Sequence, residues 1–235
     1  MTLCRFSLLF QVISISIVSV ILPASDLAQT SPSSAPSKNA KKSAPPVETG
    51  IDAGSVVDGV YRNKSLGFTC NIPDGWVLRT DEMNAREEAG QPAEQPQPQG
   101  NIGESKVLLA AFSRPPEAKG EDVNSSILIA AESVASYPGL KEAAQYMGPI
   151  SEAAKAQGFE MDEAPYGIAI GTTTVVRGDF HKNVGTRVMR QSTLALLSHG
   201  YAVSITVVGG TEDEVEELID GLEFPTSPGK PAAKK

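Results

Sequence analysis

Cysteine and histidine are scarce, two of each in 235 residues, and Trp76 is the only indole. Cys4 precedes an apolar stretch of export-signal type, so Cys70 alone remains after processing. A single thiol forms no internal bridge, and the exported domain must stand on its hydrophobic core, which about 165 residues can supply. His181 and His199 leave few ways to assemble a histidine-based metal or acid–base centre. The chain contains no G-x-x-x-x-G-K-[ST], G-x-G-x-x-G or G-x-S-x-G pattern, which removes the ordinary nucleotide-loop and serine-hydrolase readings. Basic residues are outnumbered, 20 Lys and Arg against 28 Asp and Glu for a net charge of −8. They do not cluster, so no phosphate-tracking face is expected and nucleic acid is excluded as a partner.

One charge, Arg5, precedes the apolar run from Phe6 to Leu22, and Pro23, Ala24 and Ser25 follow. The run falls just short of the roughly 18 to 20 apolar residues of a bilayer span and ends in small, helix-breaking residues, so it reads as a removable export signal over 1–28. The expected location is periplasmic or extracellular, with no stable membrane span after removal. Residues 29–58, rich in Ser, Pro, Ala and Lys, read as a disordered linker, and 225–235 as a disordered tail.

The domain is expected over 59–224. Two continuous apolar runs, 106–112 and 126–131, predict strands covered on both faces. Between Trp76 and the first of them, 81–105 holds Gln-Pro-Gln-Pro-Gln and reads as a disordered insertion. A helix is expected from Pro138 to Gln157, broken at Gly148-Pro149 and stopped by Gly158. Strands at 172–181, 186–198 and 201–208, joined by short connections, predict antiparallel neighbours. The closing helix starts at the capping-box pattern Thr211-Glu-Asp-Glu214 and places Val215, Leu218, Ile219 and Leu222 on one face. These elements predict an α+β sandwich in which the helices cover a mainly antiparallel sheet.

Site chemistry is sparse. Arg177, Asp179 and His181 share one strand parity, and Arg187 or Arg190 lies across the short turn. This polar stripe is the candidate partner or ligand surface, although cross-strand charge pairs of this kind also form on ordinary solvated faces. Asp179 and His181 supply only two metal ligands from one strand. Cys70, on the parity of Phe68 and Ile72, reads as a buried thiol. His199-Gly200 reads as a hairpin tip. Gly209-Gly210 leads into the last helix as a phosphate turn would, but Glu212, Asp213 and Glu214 already answer the helix dipole and repel anions. Asn63-Lys-Ser65 and Asn124-Ser-Ser126 match the glycosylation sequon.

The opening Tyr61 to Gly67, the turn Pro73-Asp-Gly-Trp76, the strand Arg177-Gly-Asp-Phe-His181, and Tyr201 to Val207 before an acidic helix and Phe224 together resemble the PsbP and Mog-one family. The resemblance spans roughly 59–224. It implies an αβα sandwich and a binding or assembly factor rather than an enzyme, and it names no ligand. The Pro/Gln insertion departs from compact members, so neither a photosynthetic role nor Ran binding is carried over. The expectation is an exported, non-enzymatic module of the cell envelope that needs no cofactor or metal and binds an unknown protein or small ligand. The alternative is a metal-assisted or thiol-dependent enzyme using Asp179, His181 or Cys70.

Overall fold

The computed structural model describes residues 51–88, 105–120 and 122–224. The expected signal peptide, most of the linker and the C-terminal tail lie outside them. Two antiparallel sheets form the framework. The larger contains β4 (Val77–Leu78), β5 (Ser105–Phe112), β6 (Ser126–Ser133), β7 (Glu160–Met161), β8 (Tyr166–Ile170), β9 (Thr173–Val184), β10 (Arg187–Ser198) and β11 (Tyr201–Gly209). Its order is β4-β5-β6-β11-β10-β9-β7, with β8 also pairing with β9. The smaller sheet runs β1 (Ser55–Val57), β2 (Val60–Asn63), β3 (Phe68–Asn71), β12 (Leu222–Glu223). Three helices, α1 (Thr80–Glu88), α2 (Ala143–Ala156) and α3 (Glu212–Asp220), complete an α+β sandwich.

Strand alternation sends successive residues of the large sheet into different cores. Leu194, Val203, Ile205 and Val207 pack with Val215, Leu218 and Ile219 of α3 and with Tyr61, Phe68 and Cys70 of the small sheet. Ala195, Ala202 and Phe180 pack on the opposite face with Tyr146, Met147 and Ile150 of α2. The continuous apolar runs of β5 and β6 are therefore buried on both faces, as their pattern predicts.

Five expectations are corrected. The linker reading extends to 58, yet β1 lies within it and pairs with β2, and the Tyr61 hydroxyl donates to Ala53 O at 2.9 Å. The insertion read as disordered from 81 begins as α1, anchored where buried Met83 meets Val107 and Phe112 and where the Asn84 amide exchanges hydrogen bonds with Val107 N and O at 3.0 and 2.9 Å. Residues 89–104 lie outside the described ones. The helix expected from Pro138 starts at Ala143, where Gln145 Oε1 accepts from the Lys141 and Glu142 amides. It also runs through Pro149 without a break, since Tyr146, Met147, Ile150 and Ala154 stay buried on both sides of the proline; packing outweighs the lost backbone bond. The small second sheet has no counterpart in the expected fold.

Candidate functional site

The expected polar stripe lies on the α3 side of the large sheet. Arg177, Asp179 and His181 share a face of β9, and Arg190 stands opposite His181 in the β9–β10 register. Arg187 pairs with Val184 at the hairpin end and has the other parity, yet its side chain reaches the same end of the molecule, 3.9 Å from Asp122.

The stripe resolves into two clusters. At its centre Arg177 Nε donates to Asp179 Oδ1 at 2.9 Å, and its two terminal nitrogens reach Glu216 of α3 at 3.1 and 2.5 Å. Asp179 also accepts from Ser192 Oγ and, at 2.9 Å, from the Tyr166 hydroxyl of β8. Both charged side chains are largely covered, Arg177 at 12% and Asp179 at 17% exposure. Burial alone would lower the Arg177 guanidinium, but hydrogen bonds to Glu216 and Asp179 outweigh it and hold the group above its ordinary value. Burial, with the neighbouring Asp179 carboxylate, pushes the Tyr166 phenol up to about 12. His181 belongs to a separate contact, with Nδ1 against Asp162 Oδ1 and Nε2 3.8 Å from Glu160. Asp179 and His181 therefore do not share a partner, and among the described residues no group of three His, Cys, Asp or Glu is arranged to hold a metal ion.

The second cluster is an open groove of about 670 Å³ lined by Arg187, Val188, Arg190, Asp122, Val123 and the Gly210–Glu214 turn. Arg190 reaches Glu212 at 2.9 Å. Thr211 Oγ1 accepts from the Glu214 amide, as the capping pattern predicts. Glu214 reaches past Thr211 to accept from Gly210 N at 2.8 Å and from Ser125 Oγ. Glu212 and Glu216, one helical turn apart, thus meet Arg190 and Arg177 and tie α3 to both clusters.

The remaining candidates are structural. Cys70 is fully buried, and burial pushes its thiol up to about 12, so the thiol-enzyme reading meets a sulfur that is protonated and without solvent access at neutral pH. His199, with φ of 50°, and Gly200, with φ of 83°, form the β10–β11 turn. Asn63 is buried and donates to Asp52 O and Tyr61 Oη, so the Asn63 sequon is closed in the folded domain.

Sequence reasoning missed Glu132. It lies on the α2 face at 2% exposure and accepts from the hydroxyls of Tyr137 and Tyr146, the latter at 2.9 Å. Burial first, then the Glu132 carboxylate, drives both phenols above their ordinary value.

No family model matches the chain, and no curated protein does. Among solved structures, LpqN of Mycobacterium tuberculosis, described as involved in cell envelope biogenesis, is similar at 14% identity and a TM-score of 0.36 over 67% of this chain and 83% of that one. The Ran-binding protein Mog1p of Saccharomyces cerevisiae is similar at 13% identity and 0.35, over 67% and 90%. A Pseudomonas aeruginosa protein of unknown function, described as a putative regulator, is similar at 16% identity and 0.32, over 51% and 76%. At these identities the likeness is one of fold alone, and it carries no role to this chain.

Proposed function

We propose that this domain is an exported, non-enzymatic binding or assembly module of the cell envelope, holding a partner on the face formed by β9, β10 and the edge of α3. One observation carries the reading. Asp179 is saturated by Arg177, Ser192 and Tyr166, and Arg177 in turn by Glu216, so the charges are fixed in place as a recognition surface rather than poised for proton transfer. Arg190 and Arg187 extend that surface into the groove, where both remain accessible, at 33% and 42% exposure. The partner is a protein or small ligand that reads this mixed-charge face.

A photo-crosslinking residue placed at Arg190, and separately at Lys141 beside α2, tests the reading in cells. A discrete adduct from position 190 and none from 141 is expected. Equal adducts from both positions, or turnover by the purified protein that is abolished by Asp179→Asn, would overturn it.

A further inference from the structure

Among the described residues, one edge of the large sheet is left open. Its outer strands β4 and β7 are two residues long, and in the small sheet the outer strands β1 and β12 have three and two. Short edges offer little to pair with. β8 is different: five residues, Tyr-Gly-Ile-Ala-Ile, paired with β9 alone among the described residues and in unbroken register from Tyr166↔Arg177 to Ile170↔Thr173. It carries no charge, proline or bulge, the usual devices that keep an edge from recruiting another strand. Ile168 and Ile170 are only half-buried, and Tyr166 is 36% exposed. On the other face Gly167 and Ala169 leave side-chain room, since a Cβ at Gly167 would meet nothing nearer than Thr174 at 3.7 Å.

Charge decides what fits. The N-terminal end of β8 is flanked by exposed Glu163 and by exposed Asp162 and Glu160, which share His181, while Arg177, opposite Tyr166, is already held by Asp179 and Glu216. A second copy of this chain would bring its own acids and a net charge of −8 to the same place. A strand with basic residues would be drawn in.

We infer that β8 is a strand-acceptor edge, on which an extended segment of a partner protein adds antiparallel to Tyr166–Ile170, with alternate apolar side chains over Ile168 and Ile170 and basic residues at its C-terminal end against Asp162 and Glu163. Backbone hydrogen bonds give the affinity and the acidic flank gives the direction. The inference rests on the binding-module reading and names the partner's form. The Tyr166 hydroxyl on Asp179 joins the edge to the charged face.

The test uses the full chain and the peptide acetyl-Thr-Val-Thr-Val-Thr-Lys-Lys-amide, followed by hydrogen exchange read by mass spectrometry. Slowed exchange confined to 166–170 is expected, with a dissociation constant on the order of 100 µM. Methylating alternate backbone nitrogens of the peptide removes its donors without touching the protein and is expected to weaken binding at least tenfold, and replacing Lys-Lys by Glu-Glu should weaken it severalfold at low salt. Ala169→Pro should abolish binding, and if that variant fails to fold the methylated peptide still decides. Equal binding by the methylated peptide, protection elsewhere in the chain, or no protection at about 1 mM peptide overturns the inference. If position 190 yields its adduct while the peptide fails, the edge assignment falls and the module reading stands.

Discussion

Two carboxylates on opposite faces of one sheet receive opposite treatment. Glu132, under α2, is sealed from water and held by two tyrosine hydroxyls. Asp179, under α3, keeps some exposure and is held by an arginine, a serine and a tyrosine whose own contacts lead to the surface. Both satisfy the rule that a buried polar group needs hydrogen-bond partners. The contrast separates a group that fixes the fold from one that shapes a surface: the first has partners only from α2 and the turn before it, the second links β8, β9, β10 and α3.

The sharpest way to break this contrast is at Glu132. Glu132→Ala strands the buried phenol of Tyr146 and the half-buried one of Tyr137, and we expect a loss of about 2–4 kcal/mol, seen as a lower urea midpoint at unchanged slope. Tyr146→Phe should cost less, and a loss equal to that of Glu132→Ala would show that the two hydroxyls act as one unit. Next comes Arg177→Met, which leaves Asp179 without its cation. Because the pair is partly solvated, about 1–3 kcal/mol is expected, smaller at high salt. A loss larger than that of Glu132→Ala would reverse the assignment of the two faces.

Alkaline titration probes the Cys70 side of the core. Burial pushes both Tyr61 and Cys70 up to about 12. Unfolded, these groups ionise near 10 and 8.5, so their contribution is complete below those values and is lost as pH rises through about 12. The domain should therefore lose stability progressively above roughly pH 9, with phenolate absorbance rising together with unfolding. At neutral pH, Cys70 should resist thiol reagents until urea opens the fold, and prompt native labelling would revive a reactive role. The smallest effect is expected at Arg190→Ala, 0–1 kcal/mol for an exposed pair, which makes it the clean variant for partner binding.

Most of the framework was legible in the sequence, and the gaps have physical causes. β5, β6 and β11 announce themselves because an interior strand buries nearly every side chain, β10 through its buried half from Gln191 to Leu196, and α3 because Thr211 and its apolar face are local signals. α1 hides in a polar stretch, since Met83 is the one of its described side chains in the core and Asn84 secures it through a strand 23 residues away. Pro149 reads as a break because local rules cannot see the packing around it. In the site, parity placed Arg177, Asp179 and His181 correctly on one face, but Tyr166, Ser192 and Glu216 reach Asp179 and Arg177 through strand pairing and helix docking that no local pattern encodes. Glu132 was invisible for the same reason: its tyrosines stand 5 and 14 residues downstream and meet it only through the fold.

Glu214 has a consequence of its own. One carboxylate grips the amide of Gly210 and the hydroxyl of Ser125, which lie 85 residues apart, so the start of the last helix and the start of β6 are clamped by a single side chain. Shortening it by one methylene, Glu214→Asp, would let both strand ends drift. The groove that the Gly210–Glu214 turn helps to line would then lose its shape along that wall.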